Sequence, residues 1–170
     1  MKNDSNAPRE TITVEQVRKD LQKIVGLPVA RAWKGHGTAI FLELGELRKD
    51  YHGWKNASGE NYSMQGDWTL GELWGWKIIH DKSVVFDATE FNKFGVSTKP
   101  VKEVIEHLVG KTIISVVLNE DATLLTIVFN TNLILQVSKG SSTFFSLSYN
   151  YKPMLFFDED GISYHGVFPE

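Results

Sequence analysis

Apolar positions recur at the period of a helix in two stretches of the chain and alternate in most of the others. Val14, Val17, Leu21 and Ile24 fall on one helical face, with Thr13 and Gln16 in the spacing of a capping box ahead of them and Gly26 behind. Pro28 prevents that helix from continuing. Val101, Val104, Ile105 and Leu108 make a second stripe. They predict a helix from Ser97 or Thr98 to Gly110, with Pro100 in the first turn, where a missing N–H does no harm.

The rest reads as strands and turns. Thr38 to Leu44 alternates, with Ile40, Leu42 and Leu44 on one side, and is entered through Trp33-Lys34-Gly35-His36-Gly37. Residues 45 to 61 form the longest expected loop, with its tip at Lys55-Asn56-Ala57-Ser58-Gly59. Alternation resumes at Tyr62, Met64, Trp68 and Leu70, with Gly66 placed for a bend. Trp74, Trp76 and Ile78 share a parity, and Val84-Val85-Phe86 follows a turn at His80 to Ser83. After the second helix come Ile113 to Leu118, Leu124 to Phe129, Leu133 to Val137, Phe144 to Tyr149 and Met154 to Phe157. Asp158-Glu159-Asp160-Gly161 is a turn leading to Ile162 to His165.

The two helix ends resemble each other at an offset of 84: Lys23-Ile24-Val25-Gly26-Leu27-Pro28-Val29 against His107-Leu108-Val109-Gly110-Lys111-Thr112-Ile113. A turn and an apolar strand follow each. The expected fold is α+β: two helices packed on a largely antiparallel sheet or partly open barrel, with internal duplication of a helix-plus-strands unit as the reading the repeat suggests. Residues 1–12 read as a flexible arm. Residues 13–170 read as one domain, with pseudo-repeat halves at about 13–96 and 97–170.

Composition narrows the function classes. The 170 residues are 42% apolar and contain no cysteine, which excludes disulfides, thiolate metal sites and cysteine nucleophiles. With 18 Lys and Arg against 21 Asp and Glu, the net charge of -3 offers no excess of cations for a phosphate backbone, so no nucleic-acid partner is expected. No apolar run reaches membrane-spanning length, and the polar start lacks the apolar core of a secretory signal, so the expectation is a cytoplasmic protein without a membrane partner.

Candidate chemistry is sparse. All five tryptophans, Trp33, Trp54, Trp68, Trp74 and Trp76, lie in the first half of the chain. Trp68 and one of Trp74 and Trp76 are expected in the core, while the shared parity of Trp74 and Trp76 would otherwise make a platform for a partner. Lys34-Gly35-His36-Gly37 has two glycines and a cation but neither the Walker nor the dinucleotide spacing, so it reads as a tight turn. The histidines, His36, His52, His80, His107 and His165, include no pair at the helical metal spacing, and no serine stands in Gly-x-Ser-x-Gly. Spacing alone leaves open a site gathering His36 and His52 with Asp67. No cofactor or metal is expected. The acid clusters Glu120-Asp121 and Asp158-Glu159-Asp160 fall in turns.

Ile24-Val25-Gly26-Leu27-Pro28-Val29, Gly35-His36-Gly37-Thr38 and Phe41-Leu42-Glu43-Leu44-Gly45 resemble the opening of a family of small uncharacterised bacterial proteins, a domain of unknown function. Gly66-Asp67-Trp68-Thr69-Leu70, Leu108-Val109-Gly110 and Leu124 to Phe129 follow in the same order, so the resemblance spans roughly residues 20 to 165. The chain departs from it around Trp54, where the loop Lys55 to Asn61 replaces a more polar and aromatic run. The resemblance brings no catalytic residues, and some small proteins of this kind act as immunity proteins beside toxins. The expected function is therefore non-catalytic protein binding, immunity-like, with Trp33, His36, Trp54, Asp67, Trp74 and Trp76 as the candidate binding residues. The partner is another protein or a second copy. The alternatives are a small enzyme whose pocket gathers His36, Asp67 and His80, and a homomeric structural subunit.

Overall fold

The computed structural model describes residues 12–51, 55, 59–91, 97, 99–140, 144–150, 152–158 and 161–164. Helix α1 (Val14–Leu21) starts where Thr13 Oγ1 accepts the Gln16 N–H at 3.2 Å. The Gln16 side chain does not close the capping box. It donates instead to Asp20, also at 3.2 Å. A 3₁₀ turn over Gln22–Ile24 prolongs the helix, and Gly26 ends it at a φ of +89° that a side chain would resist. Helix α2 (Lys99–Glu106) has Ser97 Oγ accepting from the Lys99 N–H at 3.3 Å and Pro100 in its first turn, and its trailing turns end at Gly110, φ +80°.

Every strand pairing among the described residues is antiparallel. The chain runs through β1 (Val29–Lys34), β2 (Ile40–Leu44), β3 (Arg48–Tyr51), β4 (Tyr62–Gln65), β5 (Trp68–Leu73), β6 (Trp76–His80) and β7 (Ser83–Asp87) before α2. After it come β8 (Ile113–Leu118), β9 (Leu124–Phe129), β10 (Leu133–Ser138), β11 (Phe145–Tyr149), β12 (Lys152–Asp158) and β13 (Gly161–Tyr164). The first sheet has the order β1-β2-β5-β11-β12-β13 and the second β7-β6-β10-β9-β8, while β3 and β4 form a separate hairpin. Each main sheet thus takes three strands from one half of the chain and finishes with strands from the other.

The helices are exchanged as well. Helix α1 lies along β8 of the second sheet and α2 along β1 of the first, so the two helices do not share one sheet. Arg18 on α1 donates to the carbonyls of Leu118 and Asn119, and Gln22 to that of Val116, which blunts the outer edge of β8. Between the two sheets the helix-to-strand linkers meet. Pro28 faces Thr112 in an isolated antiparallel bridge. Gly26 N–H donates to the Ile113 carbonyl and Gly110 N–H to the Val29 carbonyl, both at 2.8 Å.

The core follows the alternation read from the sequence. Val17, Leu21 and Ile24 of the first helical segment and Val101, Ile105 and Leu108 of the second are fully buried in one cluster with the inward residues of both sheets. Two segments depart from the pattern expected of the sequence. Val29–Lys34, which carries no clean alternation ahead of the turn at Gly35 to Gly37, is the edge strand β1, its pairing with β2 interrupted by a register shift between Val29 and Arg31. The expected loop over 45 to 61 contains β3, a polar strand without an apolar face, which pairs with β4 through Arg48 opposite Gln65 and Tyr51 opposite Tyr62.

Candidate functional site

A cleft of about 430 Å³ opens between α2 and the second sheet. Ile78 on β6, Val85 on β7, Leu133 on β10 and Val104 on α2 give it apolar walls. His80 at the end of β6, His107 in the turn after α2 and Lys111 in the following linker bring nitrogen donors to it, together with Thr131. No carboxylate lines the cleft, and Lys111 has no carboxylate partner among the described residues. Beside this rim Asp81 stands 3.6 Å from His80 Nδ1 and accepts from Asn132 at 3.5 Å. Apolar walls with a few convergent polar groups are the general form of a ligand seat.

The residues singled out from the sequence are scattered. Trp76 is fully buried, stacks on Phe86 and donates its indole N–H to the Thr38 carbonyl at 2.7 Å. Trp74 lies outside the strands, half-buried against Gly37, because Gly75 at φ +61° breaks the alternation between them. The shared parity therefore does not produce a shared face. Trp33 stacks face to face on Phe41 with ring centroids 4.0 Å apart. His36 is exposed on a tight turn in which Lys34 Nζ donates to the carbonyls of Gly35 and Gly37. Asp67 pairs with Arg48 at 2.9 Å and accepts the Glu46 N–H at 2.9 Å. Of His36, Asp67 and His80, only His80 lines the cleft. Trp54, His52 and His165 lie outside the described residues.

Sequence reasoning missed the most enclosed acid among the described residues. Glu43 on β2 is 1% exposed and accepts three hydrogen bonds: from the Trp33 indole at 2.9 Å, the Thr69 hydroxyl at 2.7 Å and the Gly66 N–H at 3.1 Å. A carboxylate this buried, accepting from three donors, holds β1, β2 and the start of β5 together. The signal lay in the alternation itself, which sets Glu43 and Phe41 on the opposite side of β2 from Ile40, Leu42 and Leu44.

The inserted hairpin is the other distinctive surface. Tyr51 is 66% exposed, its ring 5.8 Å from that of Tyr62, and Lys49 Nζ lies 4.4 Å from the centre of the Tyr62 ring. The Tyr62 hydroxyl donates to Glu60 at 2.7 Å, and that hydrogen bond together with the negative charge raises the phenol above its ordinary value of 10.0. Among the described residues no group of three metal-ligating side chains gathers, and no helix is long and apolar enough to cross a membrane.

Compared with known proteins, the chain matches no family model, no curated protein and no solved structure at a significant level.

Proposed function

We propose that the chain is a non-catalytic binding protein whose partner, another protein, engages the cleft between α2 and the second sheet. The observation that carries this reading is the lining: four apolar walls with His80, His107 and Lys111 at one rim and no carboxylate among them. General acid–base chemistry calls for a paired acid and base facing one another, and nucleophilic chemistry for an activated hydroxyl or amine beside a base. Lys111 and the two histidines instead offer donors and charge, which suits holding a group. The sequence resemblance, to a family of small uncharacterised bacterial proteins, some proteins of this kind being immunity proteins, supports the same reading.

We infer further that the binding unit arose by duplication. Supporting this, β1 on β2 and β8 on β9 shift register at matching places, Val29/Arg31 and Ile113/Ser115, and β6 on β7 and β11 on β12 do so at Ile78/Ile79 and Leu147/Ser148. The hairpin β3-β4 is then an insertion between β2 and β5, whose counterparts β9 and β10 are joined by a short turn.

The test is retention of a partner by the immobilised chain, compared across two variants. Val104→Arg places a charge in the cleft and is expected to abolish retention, whereas Tyr51→Ala on the distant hairpin leaves it intact. Equal retention by Val104→Arg and the unchanged protein would overturn the reading.

A further inference from the structure

The matching registers give this cleft a counterpart, and the two differ in two respects. Trp68, the first residue of β5, pairs across the sheet with Tyr149, the last residue of β11. Leu133, the first residue of β10, pairs in the same way with His80, the last residue of β6. In the first sheet the position is filled by two rings with centroids 4.9 Å apart, and Trp68 is only 7% exposed. In the second sheet the smaller Leu133 and His80 stand there, and the cleft opens beside them.

The facing helices differ too. Val104 and His107 of the second half correspond, at the offset of 84, to Asp20 and Lys23, which form an ion pair at 3.5 Å. On that side the charges satisfy each other. On the cleft side Val104 is apolar and Lys111 is left without a carboxylate among the described residues. At equivalent positions one half therefore carries two rings and an ion pair, and the other carries Leu133, His80, Val104 and His107, with the one described acid at this rim, Asp81, beside His80 and none beside Lys111.

We propose that the cleft seats an aromatic side chain of a partner protein, with a flanking carboxylate meeting Lys111. The ring takes the space that Trp68 and Tyr149 occupy on the other side, between Leu133, Ile78 and Val104, and His80 and His107 offer N–H donors to the carboxylate. This rests on the binding-protein reading and adds the chemistry of the inserted group.

The experiment is an NMR titration of the full chain with the capped peptide acetyl-Glu-Trp-Glu-amide. Saturable shifts centred on Ile78, His80, Val104 and Leu133 are expected. Replacing Trp by Ala in the peptide weakens binding at least about tenfold, the scale expected for deleting a buried ring, and replacing both Glu by Gln weakens it severalfold. Leu133→Trp fills the cleft from within and abolishes binding while the melting temperature holds or rises. As a second variant at a half-buried position, Lys111→Ala makes the Glu and Gln peptides bind alike. Equal binding of the Trp and Ala peptides, unchanged binding by Leu133→Trp, or binding of free 3-indolepropionate more tightly than the peptide would each overturn the proposal. If the peptide fails while partner retention still depends on Val104, the ring-and-carboxylate chemistry is wrong and the binding-protein reading stands.

Discussion

Pro28 and Thr112 face each other in an antiparallel bridge, and each is the second residue after the glycine that ends its helical segment. Around them four backbone hydrogen bonds come in two matched pairs. Gly26 to Ile113 is answered by Gly110 to Val29, and Val29 to Lys111 by Ile113 to Leu27. These bonds tie the two helix-to-strand linkers where the two sheets approach, so both glycines work under the same demand.

Gly26→Ala and Gly110→Ala are accordingly expected to destabilise the protein by similar amounts. A Cβ would meet nothing within 4 Å at either position, so the cost comes from the left-handed backbone, about 1–2 kcal/mol for each. Urea unfolding of the two variants measures it. A loss at one position and none at the other would show that the linkers are not under equivalent constraint.

Glu43 is expected to be intolerant of apolar replacement. Glu43→Leu leaves the Trp33 indole, the Thr69 hydroxyl and the Gly66 N–H without their shared acceptor, at a cost of about 2–4 kcal/mol. Glu43→Gln keeps one acceptor oxygen and costs less. Denaturant midpoints for both variants test the ordering, and a Leu variant as stable as the Gln variant would mean that the three donors find other partners.

How much of this could be read from the sequence depends on what each element packs against. Both helices, with the Thr13 cap and the terminal glycines, and the strands from Ile113 onward were readable because their apolar positions recur with one clear period and end at strong turn residues. Strand β3 was hidden because Arg48, Lys49 and Asp50 bury no face, and only pairing with β4 makes them a strand. The fate of Trp74 and Trp76 was hidden for a different reason. Parity predicts a shared face only along an unbroken strand, and Gly75 breaks it. The cleft is a long-range property: His80 and His107 line it from elements that no local spacing relates.

Gly71→Ala tests the aromatic stack on the outer side of the first sheet. An added Cβ would lie 2.4 Å from Phe41 Cδ1, so the ring must move and its stacking on Trp33 be lost. A loss of about 1–3 kcal/mol is expected, as for other overpacked sites, with a weakened tryptophan signal in near-ultraviolet circular dichroism. Gly140→Ala, where a Cβ meets nothing within 4 Å, serves as the neutral control.

Tyr62 is expected to ionise later than an ordinary phenol because its hydroxyl donates to Glu60 and the charge there opposes a second negative charge. The neutral phenol is the favoured form in the folded hairpin, so any stabilisation from this contact is present at neutral pH and is lost as pH rises through the raised value. Ultraviolet titration of the phenolate follows it. Glu60→Gln should bring the transition back toward 10.0, and an unchanged curve would remove Glu60 as the cause.

The exchange of β6 and β7 into the sheet headed by β8 has a consequence for synthesis. As the chain leaves the ribosome, β6 and β7 appear long before β10, the strand that β6 must lie beside, and the open side of β5 waits in the same way for β11. Helix α1 likewise waits for β8. The first half emerges with its sheet unfinished and its hairpin without a neighbour, so its strands complete their pairing only after distant partners have arrived. A chain stopped before α2 would present open strand edges, the form most prone to join with other copies of itself.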